Sequence, residues 1–186
     1  EGTGNDVTSN TYVTPDSHRG GGTGRNSNSQ SSSSGANYGN FTSAEIDGLA
    51  RFTMSWEGGL DSNGNPRYNN FGECYELSSA EHSITIGAGG WMGPTGQKLL
   101  KRIRDNHPAT FNSLDTAGIS ADLDNSDWGH YCVSRNSSKA QAIINIITSE
   151  DGKKEQDIQI REDMIEYIKE ANERFDLHDK KGIAIY

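Results

Sequence analysis

Apolar side chains are scarce in this chain of 186 residues: they make up 31% of it, while glycine occurs 22 times. That balance is poor in core material and rich in glycine for a compact domain of this length, and the shortfall is concentrated at one end. Residues 1–40 run through Gly20-Gly21-Gly22, Asn26-Ser27-Asn28-Ser29-Gln30 and Ser31-Ser32-Ser33-Ser34-Gly35, with Val7, Tyr12, Val13 and Tyr38 as the sizeable apolar groups. Such a stretch has little to bury and reads as a flexible linker. The core must come from residues 41–186, which suffice for one domain.

Other scarcities exclude classes of function. Lys and Arg number 17 against 26 Asp and Glu, for a formal net charge of −9. Without a basic stripe to neutralise phosphates, nucleic acid is excluded as a partner. Lys98, Lys101, Arg102 and Arg104 form the densest basic group, and their spacing is that of a solvated helix face. No apolar run approaches the roughly 20 residues that span a bilayer, so no membrane span is expected, and the first residues do not read as a signal peptide. The chain starts at Glu1 and stops on the apolar Ile183-Ala184-Ile185-Tyr186. A start at Glu rather than Met, and an apolar stop where free ends are usually polar, make both ends expected to be cut from something longer.

The two cysteines, Cys74 and Cys132, are too few for a disulfide scaffold and lack metal spacing. One bridge between them and two separate buried thiols both remain open. His18, His82, His107, His130 and His178 show no His-x-x-x-His pairing. Neither a metal nor another cofactor is expected.

Thr42-Ser43-Ala44-Glu45 is a capping box and starts a helix. Ile46, Leu49, Ala50 and Thr53 recur on one face, and the next position on that face is Glu57. The carboxylate is therefore expected to point toward the apolar side, with Gly58 and Gly59 ending the helix. Residues 60–75 read as a loop or small hairpin, residues 83–87 as a short strand, and Gly89-Gly90 as a sharp turn. Thr95 is expected to cap a helix carrying Leu99, Leu100 and Ile103, which Pro108 ends. A polar, aromatic loop holding Trp128, Tyr131 and Cys132 follows. Ala140, Ile143, Ile144 and Ile147 mark another helix, and Ile158, Met164, Ile165, Ile168, Ala171 and Phe175 mark one or two more, with a break near Glu162. The fold class is mainly α, of the α+β kind: a helical lobe with one small β patch beside the helix that carries Glu57.

Trp56-Glu57-Gly58-Gly59 places a carboxylate where a packed helix gives way to glycines, a seat suited to a general acid. Burial raises a carboxyl pKa by disfavouring its charged form, and the expected burial comes from Trp56 and the apolar helix face. Glu57-Gly58-Gly59, Ser83-Ile84-Thr85-Ile86-Gly87, Gly93-x-Thr95-Gly96 with Leu99-Leu100-Lys101, Gly152-Lys153-Lys154, Gln156-Asp157, Tyr167-Ile168 and Ala184-Ile185-Tyr186 follow in order. Over residues 41–186 this series resembles the lysozyme-like domain of cell-wall hydrolases from phages and mobile elements of Gram-positive bacteria. It is similar, more distantly, to bacterial chitosanases.

The resemblance implies a lysozyme-like fold and muramidase-type hydrolysis of peptidoglycan. Its implied partners are peptidoglycan glycan strands and the other parts of a phage tail, lysin or cell-wall assembly. Its implied setting is extracellular or virion-associated, at the bacterial cell wall. Glu57 is then the general acid, Thr85 orients the attacking water, and Glu81 is the candidate base. Ser83 would contact substrate, and Trp91, Trp128 and Tyr131 would either stack on sugar faces or pack in the core. In the family an aromatic segment with Asp or Asn follows the final Ile-Tyr, so the domain is expected to be truncated at its C-terminal end. Two alternatives remain: a non-catalytic, structural or wall-binding module of a virion, and a chitosanase-like hydrolase of a cationic polysaccharide, which the acidic charge suits.

Overall fold

The computed structural model describes residues 41–74, 82–176 and 180. The stretch 1–40, Glu81 and Ala184-Ile185-Tyr186 lie outside the described residues.

The first helix, α1 (Ser43–Glu57), starts where its capping box predicts. Thr42 Oγ1 accepts the Glu45 amide at 3.3 Å, and the Glu45 carboxylate accepts the Thr42 amide at 2.8 Å. Two first-turn donors are thus satisfied reciprocally, and Ile46, Ala50 and Met54 form the buried stripe. At the other end Gly59 takes the left-handed conformation (φ 76°), whereas Gly58 stays right-handed. Gly58 serves close approach instead. A Cβ there would lie 2.6 Å from the Ala88 carbonyl oxygen, so the end of α1 rests directly on the backbone of the 87–90 turn.

That turn joins two of three short strands: β1 (Phe71–Gly72), β2 (Thr85–Ile86) and β3 (Trp91–Met92), antiparallel in the order β1-β2-β3. Phe71 pairs with Ile86 and Ile86 with Trp91, and all three face the core; Gly72, Thr85 and Met92 share the opposite face. The strand is shorter than the 83–87 its alternation predicts. The Ile84 amide leaves the ladder and donates to the Tyr131 carbonyl at 2.9 Å.

α2 (Pro94–Asn106) opens with Pro94 in its first turn and Gly93 at the cap. Thr95 is not the cap: its hydroxyl donates to the Met92 carbonyl at 2.8 Å. Pro108, placed one residue beyond His107, opens α3 (Pro108–Leu114). α4 (Ile119–Asn125) and a 3₁₀ turn (Trp128–His130) also lie inside the segment expected to be a loop. Ser137 caps α5 (Ser138–Thr148), and Ser149 caps α6 (Glu150–Arg174) through the Gly152 amide at 2.9 Å. The break expected near Glu162 is absent. Arg102 of α2 bonds the Glu162 carboxylate at 2.5 Å, so this polar position is held from a neighbouring helix.

α6 packs against α1, α2 and α5 and buries Glu155, Gln156 and Gln159 along with Ile160, Met164 and Ile168. Contact on several sides explains why it lacks a single clean apolar stripe. Glu155 accepts bonds from Arg102 Nε (3.2 Å) and Asn106 Nδ2 (3.0 Å) and meets His107 Nε2 at 3.0 Å. Burial pushes its carboxyl pKa up, but the bonds from Asn106, Arg102 and His107 outweigh burial and hold it below the usual glutamate range. Cys74 and Cys132 are joined as a disulfide with Cα atoms 5.6 Å apart, which resolves the alternatives left open by spacing. The described residues are mainly helical with one small antiparallel sheet. Among the described residues no helix is long and apolar enough to cross a membrane.

Candidate active site

Three pieces of the fold meet at the C-terminal end of α1. The 87–90 turn lies beneath it, Trp91 follows that turn, and the second half of α6 runs alongside. Between them opens a cleft lined by Thr53 and Glu57 of α1, Gly89, Gly90 and Trp91 of the hairpin, and Asp163, Met164 and Tyr167 of α6. The Glu57 side chain lies against Gly90: a Cβ on that glycine would sit 3.4 Å from Glu57 Cβ and 3.5 Å from its Oε2. The carboxylate itself has no hydrogen-bond or ion-pair partner among the described residues.

The expected burial of Glu57 is corrected. Glu57 is exposed, and Trp56 turns outward with 79% of its surface accessible. The reason is geometric. Ile46, Ala50 and Met54 define the buried line of α1, while Thr53 and Glu57 follow a line along its edge, at the lip of the cleft.

Trp91 forms the floor. It is 95% buried, and a Cβ on Gly89 would lie 2.5 Å from its ring, so this turn can cross the indole only with glycine. The indole Nε1 donates to Asp163 Oδ2 at 2.8 Å. Burial raises the Asp163 pKa, the Trp91 bond and Lys98 oppose that rise, and the neighbouring Glu162 and Glu166 add to it. No protein-family model, curated protein or solved structure matches the chain.

Of the other residues singled out from sequence, those that are described lie apart from this cleft. Thr85 is on the opposite face of the hairpin from Trp91, packed over Gly72, and is not among the residues lining the cleft. Glu81 lies outside the described residues, and Ser83 is buried. Trp128 and Tyr131 are core residues, their rings stacked with centroids 4.1 Å apart. Trp128 Nε1 donates to the Asp122 carbonyl at 3.0 Å, and the Tyr131 hydroxyl donates to the Asp122 carboxylate at 2.5 Å. Neither ring has a face open to a sugar. Of the aromatic candidates, the structure brings Trp91 alone to Glu57.

Asp163 is the site residue that sequence reasoning missed. Its signal is positional: Ile160, Asp163, Met164, Tyr167 and Ile168 fall at helix steps of three and four, so an acid occupies a stripe otherwise apolar or aromatic. Among the described residues, no group of three or more His, Cys, Asp and Glu side chains is arranged to hold a metal ion.

Proposed function

We propose that the chain is a lysozyme-like peptidoglycan glycosidase of muramidase type, with Glu57 as its general acid. Cleaving a glycosidic bond requires a carboxyl group that delivers a proton to the leaving oxygen. The observation that carries the proposal is the unpartnered Glu57 carboxylate at the lip of a cleft floored by Trp91. Unengaged by the described residues, it is free to meet a ligand oxygen. The Cys74–Cys132 bridge suits work in an oxidising setting outside the cell or on a virion.

The test uses purified Gram-positive sacculi and counts new reducing ends. Glu57→Gln is expected to lower their release by about 100-fold or more, the scale of a lost general acid. Equal release by both proteins refutes the assignment. The exposure of Glu57 favours one second reading, a wall-binding module of a virion without turnover. Sedimentation with sacculi and no new reducing ends, even from the wild type, supports that reading.

A further inference from the structure

We propose that Asp163 is a second catalytic carboxylate of this cleft, the base that deprotonates the attacking water; this rests on the Glu57 reading above. Glu57 and Asp163 line one cleft from different helices, α1 and α6. Trp91 engages Oδ2 of Asp163 at 2.8 Å, and Oδ1 has no hydrogen-bond partner among the described residues. One oxygen is thus fixed by a buried donor while the other is left to a solvent molecule. An acid kept only to satisfy an indole N–H could be replaced by a backbone carbonyl or an amide. A carboxylate in an otherwise apolar stripe, at the wall of a cleft, calls for a use of its charge.

The step balances with these two groups. As the bond between the anomeric carbon and the glycosidic oxygen breaks, the Glu57 carboxyl proton passes to the leaving oxygen. Water adds to the anomeric carbon, and its proton passes to Asp163. Exchange with solvent then returns Asp163 to carboxylate and Glu57 to acid. Around Asp163 the charged groups are Glu57 across the cleft, Lys98 of α2, and Glu162 and Glu166 of its own helix. The partly buried setting makes Asp163 a stronger base than an exposed aspartate, which favours proton removal from water.

The experiment compares the full chain, Glu57→Gln, Asp163→Asn, Asp163→Ala and Trp91→Phe on sacculi, with thermal melts alongside. Asp163→Asn is expected to lose about 100-fold or more of turnover while melting like the wild type, because the amide oxygen still accepts the indole N–H. Azide, a nucleophile that needs no base, is expected to restore turnover to Asp163→Ala and not to Glu57→Gln, read as soluble glycan released with a glycosyl azide end, because azide attack forms no new reducing end. Trp91→Phe removes the bond that lowers the Asp163 pKa, so the acid limb of its pH–rate profile is expected to move to higher pH. An active Asp163→Asn beside an inactive Glu57→Gln overturns the role of Asp163 and leaves Glu57 standing. Loss without azide rescue and without the pH shift makes Asp163 structural and overturns the proposal. A wild type that cuts nothing overturns both.

Discussion

Gln156 holds the cleft's turn in place with a single buried side chain. Its Oε1 accepts the Ala88 amide at 2.7 Å, and its Nε2 donates to the carbonyls of Tyr68 (3.1 Å) and Ile147 (2.8 Å). Leucine has nearly the same size and would leave those three backbone groups unpaired. At about 1–3 kcal/mol for an unsatisfied buried group, Gln156→Leu is expected to lower the unfolding free energy by about 3 kcal/mol or more. Urea unfolding measures it. Asp163 works in the opposite direction: its folded-state pKa is raised, so the folded chain loses stability as pH rises through that value. Asp163→Asn is therefore expected to be at least as stable as the wild type at neutral pH, as is common where charge is held for function. A clear fall in its melting temperature would show that the carboxylate stabilises the fold.

Among the secondary-structure elements, α1 is the most legible from sequence because its signals are local. Thr42→Ala removes one half of the capping box and is expected to cost about 1 kcal/mol, seen as a shifted denaturation midpoint. Gly58→Ala should cost about 1–3 kcal/mol by overpacking, and it pushes on Ala88 as well. It is expected to impair the proposed sacculus cleavage more than a Thr42→Ala variant of matched stability, because the strain falls at the cleft. α2 and α5 were equally readable from their three-and-four spacing. α3 and α4, at 7 residues each, are too short for periodicity to mark; Pro108 follows the end of α2, as its position predicts, and also opens α3. α6 runs through Glu162 unbroken, as a good helix former allows, and the Arg102 contact to Glu162 from another helix is a pairing with no local trace. The seat of Glu57 at the end of α1 follows from its spacing, but its exposure is set by which α1 line meets α6, and Asp163 enters the cleft only once the two helices are side by side.

At the scale of the molecule, the disulfide and the Glu155 cluster tie distant segments together. Cys74 and Cys132 are 58 residues apart, and closing a loop of that length restricts the unfolded chain by about 4 kcal/mol in the chain-entropy account. Reduction, or the double replacement by serine, is expected to lower the melting temperature by several degrees. An unchanged melt would mean the bond adds nothing to stability. Glu155 joins α6 to α2 and His107, and its folded-state pKa is depressed. The folded chain thus binds fewer protons there than the unfolded chain. Its stabilising contribution is complete above the ordinary glutamate range and is lost as pH falls through the lower folded-state value. Denaturant titrations from pH 7 downward are expected to show that loss, with a shallower slope in Glu155→Gln.

The three tryptophans occupy unlike surroundings: Trp56 in open water, Trp128 sealed in the interior, and Trp91 bonded to an ionisable group beneath the cleft. Indole emission is sensitive to nearby charge and hydration, so the chain carries its own optical reporter. With Trp56 and Trp128 replaced by phenylalanine, the remaining fluorescence would register a ligand arriving over Trp91, the proposed glycan included, and the titration of Asp163 in one signal, without any label.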